Sequence, residues 1–223
     1  MKILSLVTQK KIKRFAVSVV AGVAFAATAN SHAGLVSLND ATYGAGSLTW
    51  DTATNLEWLD LTVSQGWSFT NAASELGTGG KFEGFSIATS TQFMQLMQNG
   101  GWNDPFNTVY AGDHPRFNKA LHLIDLFGNT LLNLAPSYGT YGFVMDTVAS
   151  GSHFLNGIYI ENFPANPFYT TVFTDLDIGQ PPSLGDEYSG IWLYRTHAVP
   201  EPASLALLGL GLLGIRFGRR RKA

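Results

Sequence analysis

The chain contains no cysteine. Disulfides, thiolate metal sites and a cysteine nucleophile are therefore excluded, and either redox compartment stays open. Charge is scarce as well: Asp, Glu, Lys and Arg make up 13% of the 223 residues, against roughly 25% in an ordinary soluble domain. The few cations are sorted to the ends. Lys2, Lys10, Lys11, Lys13 and Arg14 open the chain, and Arg216, Arg219, Arg220, Arg221 and Lys222 close it. From Gly34 to Ala198 only four basic residues (Lys81, Arg116, Lys119, Arg195) face 15 acidic ones, a net charge of −11. A body this acidic repels phosphate backbones, which argues against nucleic acid as a partner.

Glycine and aromatic side chains are plentiful, with 24 glycines, 13% aromatic and 45% hydrophobic residues. This composition points to a turn-rich, aromatic-packed body with one good core. Three segments follow from the charge pattern: residues 1–33, 34–198 and 199–223. In the first, the basic stretch ending at Arg14 leads into an uncharged apolar run, Phe15 to Ala29, and then Ser31-His32-Ala33. Small residues at −3 and −1 mark a signal-peptide cleavage site between Ala33 and Gly34. The alternative is an uncleaved anchor, but the run falls short of the roughly 20 residues a span needs. Export by the Sec machinery is the expectation.

In the last segment, Val199-Pro200-Glu201-Pro202 precedes the apolar run Ala203 to Ile215, and Arg216 with the cluster Arg219-Arg220-Arg221-Lys222 follows. An apolar helix enters the bilayer while such a basic cluster stays cytoplasmic. The prolines hold the preceding segment extended, a shape that a membrane protease can grip. This order of motif, apolar helix and arginine cluster resembles the PEP-CTERM sorting signal of Gram-negative bacteria. The resemblance implies recognition and removal of the tail by an exosortase, with the membrane as a transient anchor. It also implies delivery to the cell surface or the exopolysaccharide matrix.

The body reads as α+β. Leu48 to Asp51 and Leu56 to Asp60 form a hairpin around Thr52 to Asn55. Ser68 caps a helix with Phe69, Ala72, Ala73 and Leu76 on one face, ended by Gly77. A short strand follows at Phe85 to Ala88. Thr89 and Gln92 make a capping box for a second helix presenting Phe93, Leu96 and Met97. A third helix starts near Pro115 and presents Phe117, Ala120, Leu121 and Ile124, with His122 partly buried beside them. Strands are expected at Tyr141 to Val148, Phe154 to Asn162, Thr170 to Ile178 and Tyr188 to His197.

An early hairpin, two or three helices and a strand-rich second half resemble a C-type-lectin-like domain with a mostly antiparallel sheet. Asp51 to Leu61, Gly84 to Thr89 with the helix from Gln92 to Leu96, and the closing Ile191-Trp192-Leu193-Tyr194-Arg195 carry a sharper resemblance to an uncharacterised bacterial lectin-like family. Asn55 stands where that family has Gly, and Ser86 where it has Arg. The resemblance implies that Trp58 and Trp192 are core residues on strands of one sheet.

No catalytic constellation emerges. His114, His122 and His153 are too scattered for a metal signature. Gly84 to Ala88 lacks the second glycine of a nucleophile elbow, and Gly77 to Lys81 reads as a turn rather than a phosphate loop. Trp102-Asn103-Asp104 reads as a Trp-capped turn. Asp175, Asp177, Asp186 and Glu187 flank a Gly/Pro loop and are the candidate ligands for Ca²⁺, which takes six to eight oxygens. The alternative is a solvated acidic loop and no cofactor. Trp67, Trp102, Phe106, Tyr110, Tyr138, Tyr141, Phe163, Phe168 and Tyr169 sit in or beside loops, where aromatic faces either pack the loops down or stack on sugars and partner proteins. A non-enzymatic surface or matrix protein that binds polysaccharide or another matrix protein is the leading expectation. The alternative is a secreted hydrolase with an unrecognised active site.

Overall fold

The described residues form two five-stranded sheets, with three α-helices between their strands in the chain. The computed structural model describes residues 34–132, 134, 136–149, 151–161 and 169–198. The first sheet has the order β1-β2-β3-β10-β4, all antiparallel, from β1 (Leu35–Asp40), β2 (Gly44–Asp51), β3 (Leu56–Leu59), β4 (Ser86–Ile87) and β10 (Leu193–Thr196). The second has the order β5-β8-β7-β6-β9, from β5 (Tyr110–Ala111), β6 (Ser137–Thr147), β7 (His153–Glu161), β8 (Tyr169–Leu176) and β9 (Gly190–Ile191). Only the β6–β9 pairing in it is parallel. The body is α+β as expected, with two sheets in place of one.

The hairpin at Thr52 to Asn55 joins β2 to β3. Asn55 has φ 58°, the left-handed conformation that glycine and asparagine adopt most readily. Asparagine at a position expected to carry glycine therefore keeps the same backbone path open. Helix α1 (Phe69–Ser74) is capped by Ser68, whose Oγ accepts from the Asn71 N–H at 3.2 Å. It ends at Ser74, three residues before Gly77, so only Ala72 of the anticipated face is fully buried and Ala73 is exposed. Helix α2 (Ser90–Asn99) begins with the expected capping box of Thr89 and Gln92 and buries Phe93, Leu96 and Met97. Helix α3 (His114–Phe127) buries Ala120, Leu123, Ile124 and Phe127. Its inward face is thus rotated toward the later residues, and His122 is exposed rather than partly buried.

The expected strand from Tyr188 to His197 is two strands. β9 belongs to the second sheet and β10 to the first, and the residue between them is Trp192. Trp192 is fully buried, its indole N–H donates to the Asn156 carbonyl at 3.0 Å, and its ring meets those of Trp58, Phe93 and Phe127 at 6.3, 4.9 and 5.4 Å. Trp58, on β3, is equally buried. Both tryptophans are core residues, but they are not on strands of one sheet. The strand breaks here because Trp192 points into the core where both sheets and helices α2 and α3 converge, along with Val144, Ile158 and Val172.

Candidate binding groove

One face of the second sheet packs on the helices through Val144, Ile158, Ile160 and Val172. The opposite face carries Tyr141, Leu155, Tyr159 and Phe173, because side chains alternate across a strand. Antiparallel register places Tyr141 opposite Gly157 and Tyr159 opposite Gly139. The glycines leave room for rings to lie across the sheet. A Cβ at residue 157 would stand 2.8 Å from Tyr141 Cδ1 and 3.0 Å from Phe173 Cζ, and one at residue 139 would stand 3.1 Å from Tyr141 Cε1. The Tyr141 ring accordingly sits 6.3 Å from Tyr159 and 5.2 Å from Phe173, centroid to centroid.

A groove of about 330 Å³ opens over this floor, walled by Leu131, Leu134, Leu176, Ile178 and Tyr188. Leu134, Leu176 and Ile178 are 40%, 46% and 39% exposed, so the walls offer apolar surface to whatever enters. Polar groups stand at its edge: Ser137 and Tyr159 share a hydroxyl contact at 3.3 Å, and Asp186 lies on the wall. Burial, with the negative charge of Glu161 nearby, pushes the Tyr141 phenol far above its ordinary value, so it stays neutral. Apolar surface with convergent polar groups in a concave site is the usual form of a small-ligand or chain-binding site.

Tyr141 was among the loop aromatics expected from the sequence, but Tyr159 and the glycine floor were not. Their signal was present as the repeated triplets Gly139-Thr140-Tyr141 and Gly157-Ile158-Tyr159 on neighbouring strands. Of the other aromatics, Trp102 is fully buried, Tyr138 is 42% exposed, and Trp67, Phe106, Tyr110 and Tyr169 are half-buried. Phe163 and Phe168 lie outside the described residues.

The four carboxylates anticipated as calcium ligands do not converge. Asp175, at φ 56°, accepts the Ser90 hydroxyl at the start of α2. Asp177 accepts the Gly179 N–H at 2.8 Å within its own turn. Asp186 accepts from Ser189 Oγ and the Tyr188 N–H, and the neighbouring Glu187 carboxylate raises the pKa of the Tyr188 phenol. Asp177 and Asp186 are spent on donors of their own turns and Asp175 on Ser90 of a distant helix, so the carboxylates are not gathered into one cage. Among the described residues no group of three or more His, Asp or Glu is placed to hold a metal ion. Thermal melts in millimolar calcium and in chelator should coincide, and a rise of several degrees with calcium would overturn this reading of the loop.

Two further polar clusters fix the ends of elements. His153 stacks on Phe69 and turns Nδ1 toward the Val144 and Met145 carbonyls at 3.0 and 3.1 Å. Burial holds its pKa below the ordinary value. On the first sheet, Glu57 is buried and receives Arg195 Nε and His197 Nδ1, each at 2.6 Å, while Arg195 also reaches Asp40 at 2.7 Å. His197 additionally stacks on Trp50 at 4.3 Å. Burial pushes the Asp40 carboxyl up, but the bonds from Arg195 and from the Thr42 and Tyr43 N–H groups outweigh it and hold the carboxyl below its usual range.

Beyond this network, residues 198–222 match the PEP-CTERM protein-sorting motif. The match includes Val199, Pro200, Glu201 and Pro202 and the basic cluster Arg216, Arg219, Arg220, Arg221 and Lys222. The chain carries the tail of exported proteins that an exosortase processes at the membrane and sorts to the cell surface. No curated protein and no solved structure matches the chain. The matched tail apart from Ala198, together with the expected signal segment through Ala33, lies outside the described residues. Among those that are described, no helix is long and apolar enough to cross a membrane.

Proposed function

We propose that the exported body is a non-enzymatic binding module of the cell surface or extracellular matrix, C-type-lectin-like in build, which holds polysaccharide in the groove of the second sheet. The glycine-floored pair Tyr141 and Tyr159 carries this reading. Tyrosine rings present flat apolar faces with a polar tip, the chemistry that stacks on a sugar ring. The aliphatic walls bear on the type of sugar. Leu131, Leu134, Leu176 and Ile178 cannot satisfy a buried hydroxyl, and an unsatisfied one is costly. Acetylated or deoxy sugars fit such walls better than fully hydroxylated ones.

The build is supported by the β2–β3 hairpin, by Asn55 in the conformation a family glycine would take, and by Trp58 and Trp192 meeting in the core. A non-enzymatic role is supported by the engagement of His153 with backbone carbonyls and of His197 with Glu57, a buried carboxylate already held by Arg195. The test is retention of the processed protein on a glycan panel. Binding without product is expected, strongest for acetylated or deoxy polymers, and Tyr159→Ala should weaken it about tenfold, or about 1.4 kcal/mol, with an unchanged melting temperature. Release of shortened glycan would favour the secreted hydrolase instead.

A further inference from the structure

The described body ends almost at the sorting motif, and it begins at the same place. The Gly34 N–H donates to Thr52 Oγ1 at 2.9 Å, and the Thr52 N–H returns a bond to the Gly34 carbonyl at 3.1 Å. Three residues along the same turn, the Asn55 carbonyl accepts the His197 N–H at 2.9 Å. The β2–β3 turn therefore gathers the first residue after the expected signal cleavage and the last residues before the sorting motif onto one pole.

This pole differs from the rest of an acidic body. Thr52, Ala53, Thr54, Asn55 and Thr196 carry no charge, and Ala53, Thr54 and Thr196 are exposed. The two acids that flank the turn in the sequence are withdrawn. Asp51 is 1% exposed and bonded to the Ala53 N–H, Thr54 Oγ1 and Asn99 Nδ2, and Glu57 is 7% exposed and bonded to Arg195 and His197.

The tail sets the distance. By contour length alone, at ~3.4 Å per extended residue, the three steps from His197 to Pro200 span at most ~10 Å and the six to Ala203, where the apolar run begins, at most ~20 Å. The headgroup layer takes up about 5–8 Å of that gap on each side of the bilayer. A peptidase working on Val199 to Pro202 has no room to avoid the body.

We infer that the uncharged pole formed by the β2–β3 turn and the end of β10 is a contact surface for the membrane-embedded sorting peptidase, and that His197, held by Glu57 and Trp50, sets the spacing between this pole and the motif. The contact is transient, because it is lost with the tail.

The experiment places charge on the pole of the full-length precursor and then moves the pole away. Ala53→Glu with Thr196→Glu should slow removal of the tail at least fivefold, read by C-terminal mass spectrometry of the membrane and surface fractions. Ala53→Gln with Thr196→Gln should leave it near the parent rate. Ten Gly/Ser residues inserted between Ala198 and Val199, an average reach of ~17 Å, should restore processing of the glutamate pair. Parent-like processing of the glutamate pair at native spacing would overturn the inference. Slowing that persists with the spacer would overturn it as well, since the defect would then lie in folding or export. If the processed protein partitions onto zwitterionic vesicles and the glutamate pair abolishes this, the pole belongs to lipid and the peptidase assignment fails.

Discussion

Replacing Trp192 with alanine should lower the stability of the body by about 3–5 kcal/mol, the usual cost of removing a large aromatic from a closed core. The cost has three parts at this position. The ring fills the space between Trp58, Phe93 and Phe127. Its N–H satisfies the Asn156 carbonyl, which alanine leaves without that donor. Its backbone also links the two sheets, so a collapse around the cavity shifts both β9 and β10. A domain of this size holds roughly 5–15 kcal/mol in total. Secretion of the variant should fall sharply, and its urea midpoint should drop by about a fifth or more. A midpoint like the parent's would show that the ring is not in the core.

Replacing Gly190 with alanine should cost about 3 kcal/mol through the opposite defect, excess volume where there is none. A Cβ at residue 190 would lie 2.4 Å from the Leu61 carbonyl oxygen and 2.8 Å from Ser64 Oγ. The first obstacle is backbone, so no rotamer change relieves it, and overpacking of this kind commonly costs 1–3 kcal/mol or somewhat more. The Ser64 hydroxyl also accepts the Ile191 N–H at 2.9 Å, a bond that the displaced strand loses. Gly151→Ala provides the contrast. An added Cβ there meets nothing within 4 Å, although φ of +87° still strains it, so about 1 kcal/mol is expected. Equal losses at the two sites, measured by chemical denaturation, would show that β9 is not packed against the turn at Leu61.

The features legible in the sequence were those set by neighbouring residues. Ser68 and the pair Thr89 and Gln92 mark helix starts through bonds spanning three residues, and both are made where expected. The sorting tail is read from order along the chain and needs no fold. The features that depend on distant residues were harder to read. Tyr188 to His197 carries strand-forming residues nearly throughout, and only the location of the core decides that Trp192 turns inward and divides it. Asp175 and Asp186 are close in sequence, but Ser90, 85 residues away from Asp175, takes the Asp175 carboxylate to a different place. The groove lies between these cases. Its two Gly-x-Tyr triplets are visible, but their meaning depends on a register that pairs each tyrosine with the other strand's glycine.

The position of β10 has a consequence for the order of folding. Its Tyr194 pairs with Trp58, 136 residues earlier, and its Leu193 pairs with Ile87, so the last strand fills the middle of the first sheet rather than its edge. Until it arrives, β3 and β4 have no partner between them, and the Trp192 hole in the core stays open. Contacts separated this far along a chain form slowly, because the intervening segment must be closed into a loop first. A polypeptide delivered N-terminus first thus stays incompletely folded until β10 has crossed. Closure of the sheet then coincides with the appearance of the segment the peptidase reads, which makes a finished fold and an available cleavage site nearly simultaneous events.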